Sequence, residues 1–129
     1  MKKILLILLI PFFTYSQDSL NMSLLGSFSF PTTQANDIWG WVDSVGNEYA
    51  IVGLRNGVSV VDVTIPSSPI EKFFISDINS VWRDLKTWNN YAYVTTEADA
   101  GLLIIDLNDM TGNSYWHVKD FYSSNNDTL

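Results

Sequence analysis

Between Ile38 and Ile75 the chain alternates apolar and polar positions in short runs that turn residues interrupt. Tyr49 to Leu54 is followed by Arg55-Asn56-Gly57, then by Val58 to Val63 (VSVVDV), which is rich in β-branched residues. A period of two with β-branched enrichment predicts half-buried strands. Asn-Gly predicts a tight hairpin turn at positive φ between them. Ile38 to Val42 predicts a preceding strand, after a loop at Pro31 to Asn36 and before a hairpin turn at Asp43 to Asn47. The two prolines of Thr64 to Pro69 cannot donate to a ladder and mark an exposed corner. Ile70 to Ile75 predicts a fourth strand.

The pattern then restarts. Strands are predicted at Arg83 to Trp88, Tyr91 to Glu97, Leu102 to Leu107 and Tyr115 to Phe121. Turns fall at Asn89-Asn90 and at Ala98 to Gly101, and a loop at Asn108 to Asn113. Tyr49-Ala50 matches Tyr91-Ala92, Gly57-VSVVDV matches Gly101-LLIIDL, Asp37-Ile38 matches Asp84-Leu85, and Trp41 matches Trp88. The offset runs from 42 (Tyr49 to Tyr91) to 47 (Asp37 to Asp84), because the turns differ in length. Four strands repeating at about 40–50 residues is the pattern of a β-propeller blade. The expected fold is all-β, with β-propeller-like four-stranded antiparallel blades at residues 37–76 and 82–121. The run Leu24 to Phe30 (LLGSFSF) is expected to be an N-terminal closing strand, whose partners in a ring would lie at the far C-terminal end. Two blades and one strand do not close a ring, so the expectation is an incomplete propeller, a truncated piece that is marginal or self-associating when isolated.

Upstream, Lys2 and Lys3 precede the apolar run Ile4 to Phe13 and the small residue Ser16. This is the pattern of a secretory signal peptide over residues 1–16, with cleavage near Gln17 and a flexible lead-in to residue 23. The run is short of the roughly 20 residues that span a bilayer, so no transmembrane segment is expected after cleavage. The expected location is secreted or cell-surface. Losing both lysines takes the net charge from −7 to −9, a balance that disfavours nucleic acid. The chain has no cysteine, which excludes disulfides, thiolate metal sites and cysteine nucleophiles.

With these motifs in view, the chain resembles the LVIVD-repeat proteins, specifically the exported bacterial group called the choice-of-anchor B family. The carrying residues are Val58-Ser59-Val60-Val61-Asp62 with its tail to Pro69, and the second copy Leu102-Leu103-Ile104-Ile105-Asp106. NDIWGWVD at Asn36 to Asp43 and WRDLKTWNNYAYVTTEA at Trp82 to Ala98 carry it further. The resemblance implies a surface-exposed or secreted propeller with a variable anchor, and it implies no catalytic residue set. Measured against that group, the expectation for this chain is an N-terminal portion without the later blades or a C-terminal anchoring segment.

Several residues bear chemistry. Trp82, Arg83 and Asp84, at the start of a strand, are the candidate ligand-binding set, suited to a carboxylate or a sugar. The alternative is that Arg83 and Asp84 fasten one blade to the next. Asp62 and Asp106 end matching strands, so Asx-type bonds to the turns are expected in place of a catalytic carboxylate pair. Glu97, Asp99, Asp106 and Asp109 crowd one region without the spacing of a calcium loop, and are expected to be solvated turn charges. His117 is the only histidine and is expected to be a strand residue, with no metal site around it. Ser59 lacks a nucleophile elbow, and no glycine-rich phosphate loop is present. No catalytic residue, metal or cofactor is therefore assigned. The expected role is non-enzymatic binding or adhesion toward protein or glycan, with the missing blades of the same protein as further partners. The alternative is the N-terminal part of a secreted hydrolase or lyase whose catalytic residues lie in those blades.

Overall fold

The computed structural model describes residues 22–119. Eight strands follow in order: β1 Ala35–Val42, β2 Glu48–Leu54, β3 Gly57–Asp62, β4 Ile70–Ser76, β5 Arg83–Trp88, β6 Tyr91–Thr96, β7 Leu102–Asp106 and β8 Tyr115–Val118. They form two four-stranded antiparallel meanders, β1-β2-β3-β4 and β5-β6-β7-β8. The all-β, two-blade expectation therefore stands. The signal segment 1–16 and Phe121 lie outside the described residues, as does most of the lead-in.

The registers of the two sheets correspond. Trp41 pairs Tyr49 as Trp88 pairs Tyr91, and Tyr49 pairs Asp62 as Tyr91 pairs Asp106. Val60 pairs Phe73 as Ile104 pairs Trp116. Alternation along each strand then decides which face of each sheet is buried. The core between the sheets takes Tyr49, Ile51, Val58, Val60, Phe73 and Ile75 from the first. It takes Leu85, Ala92, Val94, Leu103, Ile105 and Leu107 from the second. Ile104 alternates to the far face of the second sheet, so it does not pack between the blades.

Two turns differ in instructive ways. Asn89 makes the β5–β6 turn at φ 51, as a two-residue hairpin between paired Trp88 and Tyr91 requires. In the β2–β3 hairpin, Leu54 pairs Gly57, so the loop residues are Arg55 and Asn56. Among the described residues Asn89 is the only non-glycine at positive φ, so Asn56 does not adopt the expected conformation. Gly57 is needed for another reason: a Cβ there would lie 2.1 Å from the Ile75 carbonyl oxygen.

The run Leu24 to Phe30 is not a strand. A strand needs a ladder partner, and this segment lies instead across the outward face of the first sheet. Gly26 rests on the Pro66 carbonyl, where an added Cβ would come within 1.9 Å of the oxygen. Phe28 and Phe30 contact edge to face at 5.2 Å. Prolines at 66 and 69 offer this segment no N–H for a ladder.

Candidate functional site

Arg83 opens β5 and its side chain is fully buried. Its Nε donates to the Leu54 carbonyl at 2.8 Å, Nη1 to Asp77 Oδ2 at 2.5 Å, and Nη2 to the Ile78 carbonyl. Asp77 Oδ1 accepts the Ile78 N–H at 2.8 Å and lies 3.3 Å from His117 Nε2 on β8. One guanidinium thus joins the end of β2, the connection after β4 and the start of β5. A charge this deep is tolerable because its pair and its hydrogen bonds are in place. Of the two readings of Arg83 from sequence, the geometry gives the fastening one its partners.

The same seam carries further polar ties. Asp37 Oδ2 accepts the Leu85 N–H at 2.9 Å, and Asn36 Nδ2 donates to the Val81 carbonyl at 3.1 Å. Trp39 Nε1 donates to Thr87 Oγ1 and Trp41 Nε1 to the Asn89 carbonyl, each at 3.0 Å. Lys86 Nζ lies 4.0 Å above the Trp39 ring. Gly53 admits this approach, since a Cβ there would meet Arg83 Cβ at 3.1 Å and Leu85 Cδ1 at 3.2 Å.

Trp82, Arg83 and Asp84 do come together around one open recess of about 400 Å³, with Thr95, Thr96 and Glu97 completing the wall. Trp82 and Asp84 are exposed there, while Arg83 contributes no free donor group of comparable reach, its guanidinium being held elsewhere. The recess offers one indole, two carboxylates and two threonines, a surface that favours cations and hydrogen-bond donors over anions. Glu97 and the threonines were not singled out from the sequence. The signal for them was the antiparallel pairing of Arg83-Asp84 with Thr95-Thr96, which becomes visible only once the register is known. A second, apolar cleft of about 630 Å³ lies under the Leu25–Phe30 segment, against Ile38, Val52 and Val61.

The other candidate residues are engaged in turns. Asp62 Oδ1 accepts the Thr64 N–H at 3.0 Å and Asp106 Oδ1 the Asn108 N–H at 2.9 Å, the expected Asx turns. The Thr64 hydroxyl and N–H hold the Asp62 pKa below its ordinary value. Asp109 is lowered to about 2 by hydrogen bonds from Ser114, then Thr111. At Asp43 burial acts upward, but bonds from Asn47, Val45 and Tyr49 outweigh it and the pKa is lowered. Tyr49 is raised, by burial first and then by the Asp43 charge. Asp99 pairs with Lys119 at 3.0 Å. Among the described residues, no three His, Asp or Glu side chains gather as a metal set, so Glu97, Asp99, Asp106 and Asp109 are not brought together. Ser59 is buried and donates to Glu71 Oε1 at 2.6 Å.

Two antiparallel four-stranded blades, register-equivalent and packed face to face through Asp37, Trp41 and Arg83, define a β-propeller-type repeat module. The LVIVD repeat matches residues 34–77 and again 82–112, more than half of the chain, and the chain belongs to the LVIVD repeat family. No curated protein and no solved structure matches it. Among the described residues, no helix is long and apolar enough to cross a membrane.

Proposed function

We propose that this chain is an exported, cell-surface module of the choice-of-anchor B group that acts by binding, not by catalysis. Export follows from the Lys2-Lys3 and Ile4 to Phe13 pattern. The observation that carries the binding role is how the chemistry-bearing side chains are engaged. Arg83, Asp77, Asp62, Asp106 and Ser59 each serve a neighbouring strand or turn. What stands open is a surface: Trp82 and Asp84 beside Glu97. An aromatic face with two carboxylates and no exposed cation suits a polypeptide carrying donors or positive charge, which makes a protein the favoured ligand.

The test has two parts. Mass spectrometry of protein recovered from the producing cell should find a mature start near Gln17; intact Met1 would remove export. The mature protein should bind on a peptide array and lose that binding on Trp82→Ala and Glu97→Gln, with no turnover of any arrayed compound. Binding confined to glycans would move the ligand class, and cleavage of an arrayed glycan or peptide would replace binding with enzymatic action.

A further inference from the structure

The two repeats carry opposite charges at one equivalent position. The interval of 42 residues from Tyr49 to Tyr91 also runs from Arg55 to Glu97. Glu97 lines the recess beside Trp82. Arg55 lines a separate recess of about 250 Å³, with Thr32, Thr33, Gln34, Asn56 and Asn79. These residues supply a guanidinium, three amides and two hydroxyls, and none of them is a carboxylate. In a chain of net charge −7, such a spot favours an anion by contrast with its surroundings.

The recess is held by backbone bonds that leave its side-chain donors free. The Arg55 N–H donates to the Gln34 carbonyl at 2.9 Å, and the Arg55 carbonyl accepts the Ser80 N–H at 2.8 Å. The Asn56 carbonyl accepts the Asp77 N–H at 3.0 Å. Asn56 Oδ1 accepts the Thr33 hydroxyl at 2.8 Å, so its Nδ2 remains available to donate. The loop before β1, the β2–β3 turn and the β4–β5 connection are thereby tied together. Arg83 and Lys119 are held in ion pairs, and Lys86 bonds the Leu85 carbonyl. Among the described residues the Arg55 guanidinium has no hydrogen-bond or ion-pair partner, nor have the side-chain amides of Gln34 and Asn79.

A second recess, of about 290 Å³, adjoins the first, because Thr32, Thr33 and Asn56 line both. Its wall adds the rings of Phe28, Phe30 and Phe74. Phe28 and Phe74 are 41% and 40% exposed. Glu71 stands in the same wall, with Oε1 accepting the Ser59 hydroxyl. The joined groove therefore carries its cation in one recess and a carboxylate in the other.

We infer that this groove binds an acidic oligosaccharide, with a uronate carboxylate on Arg55 and a neutral sugar ring on the Phe-lined side. A planar guanidinium takes a carboxylate through two parallel hydrogen bonds, a geometry lysine lacks. One cation among neutral amides and hydroxyls matches a singly charged, hydroxyl-rich unit better than a phosphate of nearly two charges. Sugar hydroxyls both donate and accept, as the amides of Gln34, Asn56 and Asn79 do. The apolar face of a sugar ring covers the exposed Phe74 ring, an apolar wall with a few placed polar groups beside it. Glu71 repels a second carboxylate on that side and accepts from a hydroxyl. This groove is a different place from the recess beside Trp82, and its ligand has the opposite charge.

Titration calorimetry of the natural-length chain tests the inference with three probes: oligoglucuronate, oligogalacturonate and a hexasaccharide alternating glucuronate with N-acetylglucosamine. Each is paired with its carboxyl-reduced form. At least one uronate probe should bind, and its reduced form should bind at least about tenfold more weakly, as for a lost charged hydrogen bond. Arg55→Ala and Asn79→Asp should each weaken the uronate by the same factor or more. Both positions are exposed, so the thermal midpoint should stay within about 2–4 °C. The inference fails if no uronate probe binds, if the reduced forms bind equally, or if both substitutions leave the affinity unchanged. It also fails if polyglutamate or inorganic phosphate binds as tightly with the same dependence on Arg55, since the recess would then be a general anion site. Trp82→Ala should change uronate affinity by no more than about twofold, as for an independent site. Loss of peptide-array binding would leave these outcomes untouched, so the two proposals fail separately.

Discussion

The Asp37 carboxylate on β1 accepts the backbone N–H of Leu85 on β5 at 2.9 Å, bridging two sheets whose own strands satisfy neither group. Leu85 pairs with Val94, and its N–H turns away from β6 toward the first sheet. Removing the acceptor leaves the N–H of buried Leu85 without its partner. Asp37→Ala should therefore cost about 1–3 kcal/mol, the desolvation penalty of an orphaned buried donor. Asp37→Asn, which keeps an acceptor oxygen, should cost less. Urea unfolding of the three proteins at neutral pH checks the order.

Arg83 should be far less replaceable than an exposed basic residue. Arg83→Met leaves Asp77 nearly buried without its cation, and should cost about 3–5 kcal/mol. Asp77→Asn combined with Arg83→Met should recover part of that loss, since no uncompensated charge remains. A double-mutant cycle by chemical denaturation measures the coupling; additive losses would show that the pair does not act as one fastening.

Much of each sheet was legible in the sequence, and the reasons are local. Period-two alternation and the Asn89-Asn90 turn depend on neighbours in the chain, so strands and hairpins could be read from them. The repeat placed Asp37 over Asp84 and Trp41 over Trp88. It did not say that Asp37 reaches Leu85, because that contact depends on how two sheets stack. The Asp77–Arg83–His117 set joins residues whose proximity follows only from both sheets being folded. Leu24 to Phe30 misled for the opposite reason. Its alternating Phe residues satisfy the local strand pattern, but a strand also needs a partner ladder, which no local pattern supplies.

Glycines 57 and 40 should respond oppositely to the same substitution. Gly57→Ala forces a Cβ to 2.1 Å from the Ile75 carbonyl and against the Phe74 ring, and should cost about 1–3 kcal/mol as overpacking. At Gly40 nothing lies within 4 Å of an added Cβ, and its φ is not positive. Gly40→Ala should be neutral, or stabilising by about 0.4–1 kcal/mol through the unfolded chain. Thermal unfolding distinguishes the two; equal losses would contradict the packing described for β3 and β4.

Acid should loosen the turns before it reaches the apolar core. Asp43, Asp62 and Asp109 all have folded pKa values below the ordinary carboxylate value. Each favours folding fully above its unfolded pKa near 3.9, and loses that contribution as pH falls through the folded value. For Asp109 the folded value is about 2, which sets a window from roughly pH 4 to pH 2. Asp109→Asn should reduce the slope of thermal midpoint against pH in that window and leave the slope unchanged at neutral pH. An unaltered acid limb would show that Asp109 does not contribute to acid sensitivity.

Two equivalent blades are docked through β1 and β5, and the Leu85 amide reports on that docking directly. Its bond is to Asp37 of the other sheet, so hydrogen exchange at this one position reads blade docking separately from strand pairing. Leu85 should exchange as slowly as the ladder amides in the natural protein. In Asp37→Ala it should speed up at least about tenfold more than the ladder amides do, the factor for a bond worth about 1.4 kcal/mol. A Leu85 amide that already exchanges like a free edge amide in the natural protein would contradict the docked arrangement.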